Sequence, residues 1–196
     1  MAAELASLRD MIVARMPFLS ARQRIKLVMR VGGAPLCDLC LEDVERAVGH
    51  RLDGARWDPD AWEREAERDL RFLSAVGGSS YGYFDAGYPA ILRETARPPF
   101  MLYVRGRLPD GRRPSVAIVG TRYPTGRGLD AALALAMEAA AEGVQVVSGL
   151  ARGIDSAAHR GAIAVGGRTY AVLGRGVDAV YPASNKELAA RMVEAG

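Results

Sequence analysis

Val116-Ala-Ile-Val119, Val144-Gln-Val-Val-Ser148 and Thr169-Tyr-Ala-Val-Leu173 are three short, almost wholly apolar runs, each followed by a turn and then by a stretch of helical spacing. Such runs are strands buried on both faces, the pattern of a parallel rather than an antiparallel sheet. The first leads through a glycine-bearing turn into an Ala-rich helix over 128–142, stopped by Gly143. The second leads through a turn ending near Asp155 into a helix that runs to Val165 and closes at Gly166-Gly167. The third leads through a loop to a helix announced by Ser184-Asn-Lys-Glu187, a capping box with Ser184 as N-cap. This alternation predicts an α/β fold, a Rossmann-like doubly wound and mainly parallel sheet. Only one helix follows the third run before Gly196, so the sheet is expected to be truncated there, with strands from 77–104 joining it in part compensation.

Upstream the periodicity is different. Leu5, Leu8 and Ile12, then Ile25, Val28 and Met29, then Leu39, Val44 and Val48 recur at helical spacing, with breaks at Pro17 and Gly32-Gly33. Trp62, Ala66, Leu70 and Leu73 share one face of a further amphipathic helix. Residues 1–76 therefore read as a small all-helical domain, 77–113 as an extended connector with edge strands, and 114–196 as the Rossmann-like domain. Tyr81-Gly-Tyr-Phe and Phe100-Met-Leu-Tyr-Val are β-type runs of the connector, and prolines at Pro89, Pro98 and Pro99 are expected to exclude a helix there. Cys37 and Cys40 form a C-x-x-C pair. With no other cysteine and only His50 nearby, zinc lacks its remaining ligands, and the flanking leucines favour thiols buried in a helix packed on a core.

Apolar residues make up 49% of the 196 residues and charged ones 25%, which excludes extended disorder. The net charge of +3 is too small for a chain-wide field, so any case for an anionic partner rests on where the charges sit. Nearly all the basic side chains are Arg, whose planar guanidinium forks onto phosphate oxygens. Met1 to Arg9 contains an acidic residue and no long apolar core, so neither a signal peptide nor a membrane span is expected, and the location follows as cytoplasmic.

In open parallel sheets ligands bind beyond the carboxyl ends of the strands, where helix N-termini offer free N–H groups. The three turns at that edge are Gly120-Thr-Arg-Tyr-Pro-Thr-Gly-Arg-Gly128, Ser148-Gly-Leu-Ala-Arg-Gly-Ile-Asp155 and Gly174-Arg-Gly-Val-Asp-Ala-Val-Tyr-Pro182. They bring glycines, hydroxyls and Arg122, Arg127, Arg152 and Arg175 against only Asp155 and Asp178, a composition suited to phosphate. Gly174-Arg-Gly-Val-Asp-Ala179 fits the loose dinucleotide pattern, but it follows the third strand instead of the first, and no strand ending in an acid comes after it. The first turn lacks the G-K-[ST] ending of an NTP-binding loop. No cofactor and no metal is therefore expected. His159 lies four residues after Asp155 on one helical face, which is read as packing and capping more than as general-base chemistry. Ser148 lacks the G-x-S-x-G setting of a nucleophile.

Val116-Ala-Ile-Val-Gly-Thr-Arg122, Ser148-Gly-Leu-Ala-Arg-Gly-Ile-Asp155 with Ala158-His159, and Gly174-Arg-Gly-Val-Asp178 with Tyr181-Pro182 and Asn185 closely resemble the signature of the DprA/Smf (DNA processing protein A) family. Tyr88-Pro89, Pro98-Pro99 and Leu102-Tyr103 match upstream, and the preceding helices resemble that family's sterile-alpha-motif-like (SAM-like) domain. The resemblance implies binding and protection of single-stranded DNA without sequence preference, loading of the RecA recombinase in natural transformation and recombination, a homodimer, and no catalysis. It further implies that Arg122 contacts the DNA backbone, with the loops at Gly120, at Ser148-Gly149 and at Gly174-Gly176 lining the same pocket through main-chain N–H groups and Asn185 beside them. Charge and loop position add Arg152 and Arg175.

Two positions depart from the family pattern: Arg97 stands where Asp is common, and Arg175 where a small or neutral residue is common. Both raise the local positive charge. The family's downstream segment, which supplies further basic and aromatic contacts, is not part of this sequence. The alternative is an enzyme of the lysine-decarboxylase-like phosphoribohydrolase group, which uses similar glycine-rich turns but carries a P-G-G-x-G-T-x-x-E motif absent from this chain.

Overall fold

The computed structural model describes residues 5–195, so the part of the N-terminal stretch up to Glu4 lies outside the described residues. The chain divides into two compact units, one ending at Tyr103 and the other beginning at Val104. The segment expected as a connector is thus shared between them.

In the first unit four helices form where the periodicity placed them: α1 Leu8–Arg15, α2 Ala21–Val31, α3 Leu41–Val48 and α4 Pro59–Ala75. Three of them, α1, α2 and α4, begin at a side chain that takes up an otherwise orphaned N–H group. Ser7 accepts from Asp10, Ser20 and Gln23 form a reciprocal capping box, and Asp58 accepts from Ala61 with Pro59 at the first helical position. Met11, Val13, Leu27, Val44, Trp62, Ala66 and Leu73 are buried as the core. Arg15 ties α1 to α4 through Glu65 and Asp69.

Strands β1 Gly78–Gly82 and β2 Met101–Arg105 pair with each other in a two-stranded sheet. They do not join the parallel sheet, which corrects the expectation that they would complete it. Between them a one-turn helix, α5 Ala90–Arg93, follows Pro89. Proline does not exclude it, because a proline at the start of a helix forfeits an N–H that would have had no partner. Cys37 and Cys40 are both exposed, and Cys37 lies in a single 3-10 turn, Leu36–Asp38. The expectation of buried thiols fails because Leu36 alone turns inward there. Hydrogen bonds from Cys40 to the carboxylates of Glu42 and Asp43 push its thiol pKa up, which disfavours the reactive thiolate.

The second unit is the expected Rossmann-like α/β layer. Strands β3 Ser115–Ala117, β4 Gln145–Ser148 and β5 Thr169–Ala171 form a parallel sheet in the order β3-β4-β5, with Val116 opposite Val146 and Val147 opposite Tyr170. The regular pairing is shorter than the apolar runs. Helix α6 Gly126–Ala141 begins two residues earlier than expected, because Thr125 is its N-cap and accepts from Gly128. Helix α7 Ile154–Ala164 follows β4, and α8 Lys186–Ala195 follows a 3-10 turn, Ala183–Asn185. Ser184 sits inside that turn, so the capping box expected around it is not formed; the tighter turn starts the helix instead.

Ala132, Ala136 and Ala140 of α6 pack with Ala157, Ala158 and Ala162 of α7 over Val116, Ile118 and Val146 of the sheet. Small side chains let the two helix axes approach closely, and Gly161 marks the tightest point. A Cβ there would stand 2.4 Å from the Leu133 carbonyl oxygen and 3.0 Å from Ala136 Cβ. On the opposite face Gln145 is buried by hydrogen bonds to Asp110, Arg113 and Ser115, while Val119 and Val172 stay 69% and 70% exposed. Among the described residues no helix is long and apolar enough to cross a membrane.

Gly161→Ala should be destabilising even though alanine is the better helix former by about 1 kcal/mol. The contact is with backbone, and forcing a methyl into a filled core costs about 1–3 kcal/mol. A urea midpoint below that of the wild type is the expected result.

Candidate functional site

The turn between β4 and α7 is held by three side chains. Asp155, buried in the first turn of α7, accepts through Oδ1 from the Gly120 N–H (3.4 Å) and through Oδ2 from the N–H groups of Gly149 (3.2 Å) and Ala151 (3.4 Å). Asn185 donates from Nδ2 to the Leu150 carbonyl (2.9 Å) and to Ser156 Oγ (2.9 Å), and Ser156 in turn donates to the Ala151 carbonyl. Leu150 is the one non-glycine residue with positive φ among those described, at 57°, and these bonds hold it there. Ser148 Oγ donates to the Ile118 carbonyl (2.6 Å), joining β4 to the end of the first strand run.

The turn after β3 is pressed against this one. Gly153 has φ 82°, and a Cβ on it would lie 2.3 Å from the Thr121 carbonyl oxygen, which accepts from the Ile154 N–H. Only glycine permits that approach. Beside the contact lies a cleft of about 450 Å³, lined by Arg122 and Pro124 of the first turn, Leu129, Asp130 and Leu133 of α6, Arg152 and Gly153 of the second turn, and Ser156 and Arg160 of α7, with Ser184 and Asn185 at its end. Arg122, Arg152 and Arg160 are exposed. Among the described residues none of the three forms an ion pair, so Asp130 lies beyond salt-bridge distance of each. The cleft therefore presents three uncompensated guanidinium groups and one carboxylate.

A family model described as DNA recombination-mediator protein A matches residues 80–196, more than half of the chain and all of this unit. The chain belongs to the DNA recombination-mediator protein A family. Protein Smf of Synechocystis sp. is 45% identical over 108 residues, which are 53% of this chain and 27% of that protein. The X-ray structure of DNA processing protein A (DprA) from Streptococcus pneumoniae superposes with a TM-score of 0.69 at 28% identity, covering 94% of this chain and 63% of that one. DNA processing protein A from Helicobacter pylori, whose structure is described as showing a unique single-stranded DNA binding mode, matches with a TM-score of 0.50 at 28% identity, over 59% of this chain and 51% of that one. DNA processing protein DprA of Streptococcus pneumoniae is 40% identical over 113 residues, so the matching part of this chain spans 27% of the Smf relative and 38% of the DprA one.

Of the expected site residues, the structure brings Arg122 and Asn185, singled out by resemblance to the DprA/Smf family, and Arg152, added from charge and loop position, to one cleft. Gly120, Ser148 and Gly149 shape the turns behind it. The Gly149 N–H, expected to face a ligand, donates to Asp155 in this structure. Gly174, Arg175 and Gly176 are exposed in the turn after β5, and none of them lines the cleft. Arg160 was not expected. It lies four residues beyond Ser156 on one face of α7, and that spacing was the available signal.

His159 is fully buried and does not meet Asp155 in a hydrogen bond. Its Nδ1 lies 2.7 Å from Thr169 Oγ1, whose proton is committed to the Val146 carbonyl (2.9 Å), so Nδ1 carries the hydrogen and donates. Nε2 has no partner. Burial lowers the pKa from 6.5 to about 4, the Asp155 charge opposing this only in part, so the ring is neutral and pins α7 to β5. In the unfolded chain the same ring protonates near pH 6.5. Stability should therefore fall as pH drops from about 6.5 to 4, by roughly 3 kcal/mol from this group alone. His159→Asn, which keeps a donor near the Nδ1 position, should show a shallower acid loss in urea titrations across that range.

Proposed function

We propose that this chain binds single-stranded DNA without sequence preference, by its phosphates, in the cleft between α6 and α7, and that it does no chemistry on the strand. The observation that carries the reading is the convergence of Arg122, Arg152 and Arg160, all exposed and free of ion pairs among the described residues, on one cleft, with the nearby Gly149 and Ala151 amides taken by Asp155. Guanidinium groups fork onto phosphate oxygens and read no base, which suits a strand of any sequence. Gly120, Ser148, Gly149 and Asn185 act by fixing the turns. Gly174, Arg175 and Gly176 extend the positive surface beyond the cleft. The absence of catalysis is supported by His159, the histidine of this unit, which is buried and committed to Thr169.

Loading of RecA onto the bound strand, a role in natural transformation, a cytoplasmic location and a homodimer complete the proposal. Their support is membership of a family named for mediating recombination.

Anisotropy titration of a labelled oligo-dT strand at several salt concentrations tests the binding. Each phosphate neutralised contributes about 0.7 to the slope of log affinity against log salt for a single strand. Arg122→Ala and Arg160→Ala should each weaken binding on the order of tenfold at low salt and each lower the slope by about 0.7. Asp130→Asn should strengthen it. Binding by the wild type that neither Arg variant disturbs would place the strand elsewhere, and no binding at low salt would end the proposal for this chain.

A further inference from the structure

Tyr123 stands between two residues of the cleft, Arg122 and Pro124, and is 84% exposed, more than any other large hydrophobic side chain described. Among the described residues its ring makes no aromatic contact and its hydroxyl no hydrogen bond. The other exposed tyrosines and phenylalanines include Phe84, which is 43% exposed and packs edge-on against Tyr83. Tyr123 has no such structural use. Its backbone nevertheless is held firmly. The Tyr123 N–H donates to Thr121 Oγ1 (3.2 Å), and Thr121's carbonyl accepts from Ile154. Pro124 fixes the next φ and presses on Gly153, where an added Cβ would lie 2.8 Å from Pro124 Cδ.

An aromatic ring presented to solvent on a fixed turn, beside a guanidinium that lines a phosphate-suited cleft, has the two parts a single-strand site requires. One takes the backbone and the other takes a base, and stacking accepts every base because each has a π face. We propose that Tyr123 is a base-stacking platform, receiving the nucleobase next to the phosphate held by Arg122. This rests on the proposed single-stranded DNA binding and adds a contact that is indifferent to salt. Pro124, Leu129 and Leu133, which line the cleft that Arg122 enters, are apolar and suit a base better than a second phosphate.

Two labelled strands of equal length separate stacking from charge: oligo-dT, and an abasic strand with the same phosphates and no bases. On oligo-dT, Tyr123→Ala should bind roughly 5- to 100-fold more weakly than wild type, while Tyr123→Phe stays within about twofold. On the abasic strand wild type and Tyr123→Ala should bind alike, which also shows that the variant is folded, and Arg122→Ala should be weakened on both. Wild-type affinity of Tyr123→Ala for oligo-dT, or an equal loss on both strands, would overturn the stacking role and leave the cleft standing. A wild type that binds neither strand would remove the proposed function and this inference together.

Discussion

The buried carboxylate of Asp155 holds the functional half of the molecule together. One side chain, at the start of α7, accepts from amides of two separate turns, Gly120 after β3 and Gly149 and Ala151 after β4. A helix N-terminus favours an anion, because the first N–H groups have no partners within the helix and the peptide dipoles add. Here the protein fills the position itself. Everything near it depends on that bond set: the positive φ of Leu150, the use of Asn185 to hold the Leu150 carbonyl, and the close approach of Gly153 to Thr121.

That arrangement decides which groups remain for a ligand. Parallel α/β sheets often offer main-chain amides to a phosphate at this edge. In this chain the Gly149 and Ala151 amides of the second turn are spent on Asp155, and the positive charge comes from side chains, Arg122 and Arg152 on the turns and Arg160 on the helix. Amides in a fixed ring fit one anion of one shape, whereas guanidinium groups on long stems spread along a cleft follow a chain of them. The bonds made by Gly120, Ser148, Gly149 and Asn185 fix the turns beneath the Arg122 and Arg152 side chains. Their work is to keep the bases of those side chains in place.

Packing behind the turns is equally specific. Alanine and glycine along α6 and α7 allow the helices to close on each other, and His159 crosses from α7 to Thr169 as a neutral donor in the core. Its burial gives the layer a polar pin with one nitrogen left unpartnered, which makes this the acid-sensitive point of the unit.

Much of this was legible in the order of residues. Apolar runs of strand length separated by stretches of helical length admit little besides a parallel α/β layer, and Gly143 marks a helix end through local backbone chemistry that needs no distant partner. The turns carrying Arg122 and Arg152 were readable for the same reason. What the sequence alone could not decide was which partner each group would choose across the fold. Whether an amide meets a ligand or Asp155, whether Cys37 and Cys40 face inward or outward, and whether β1 and β2 join the parallel sheet or pair with each other are settled by contacts distant in the chain. Arg160 joins Arg122 only because Gly153 and Gly161 let the turns and helices close. Local propensity is set by neighbours in sequence, and the geometry of a cleft by neighbours in space.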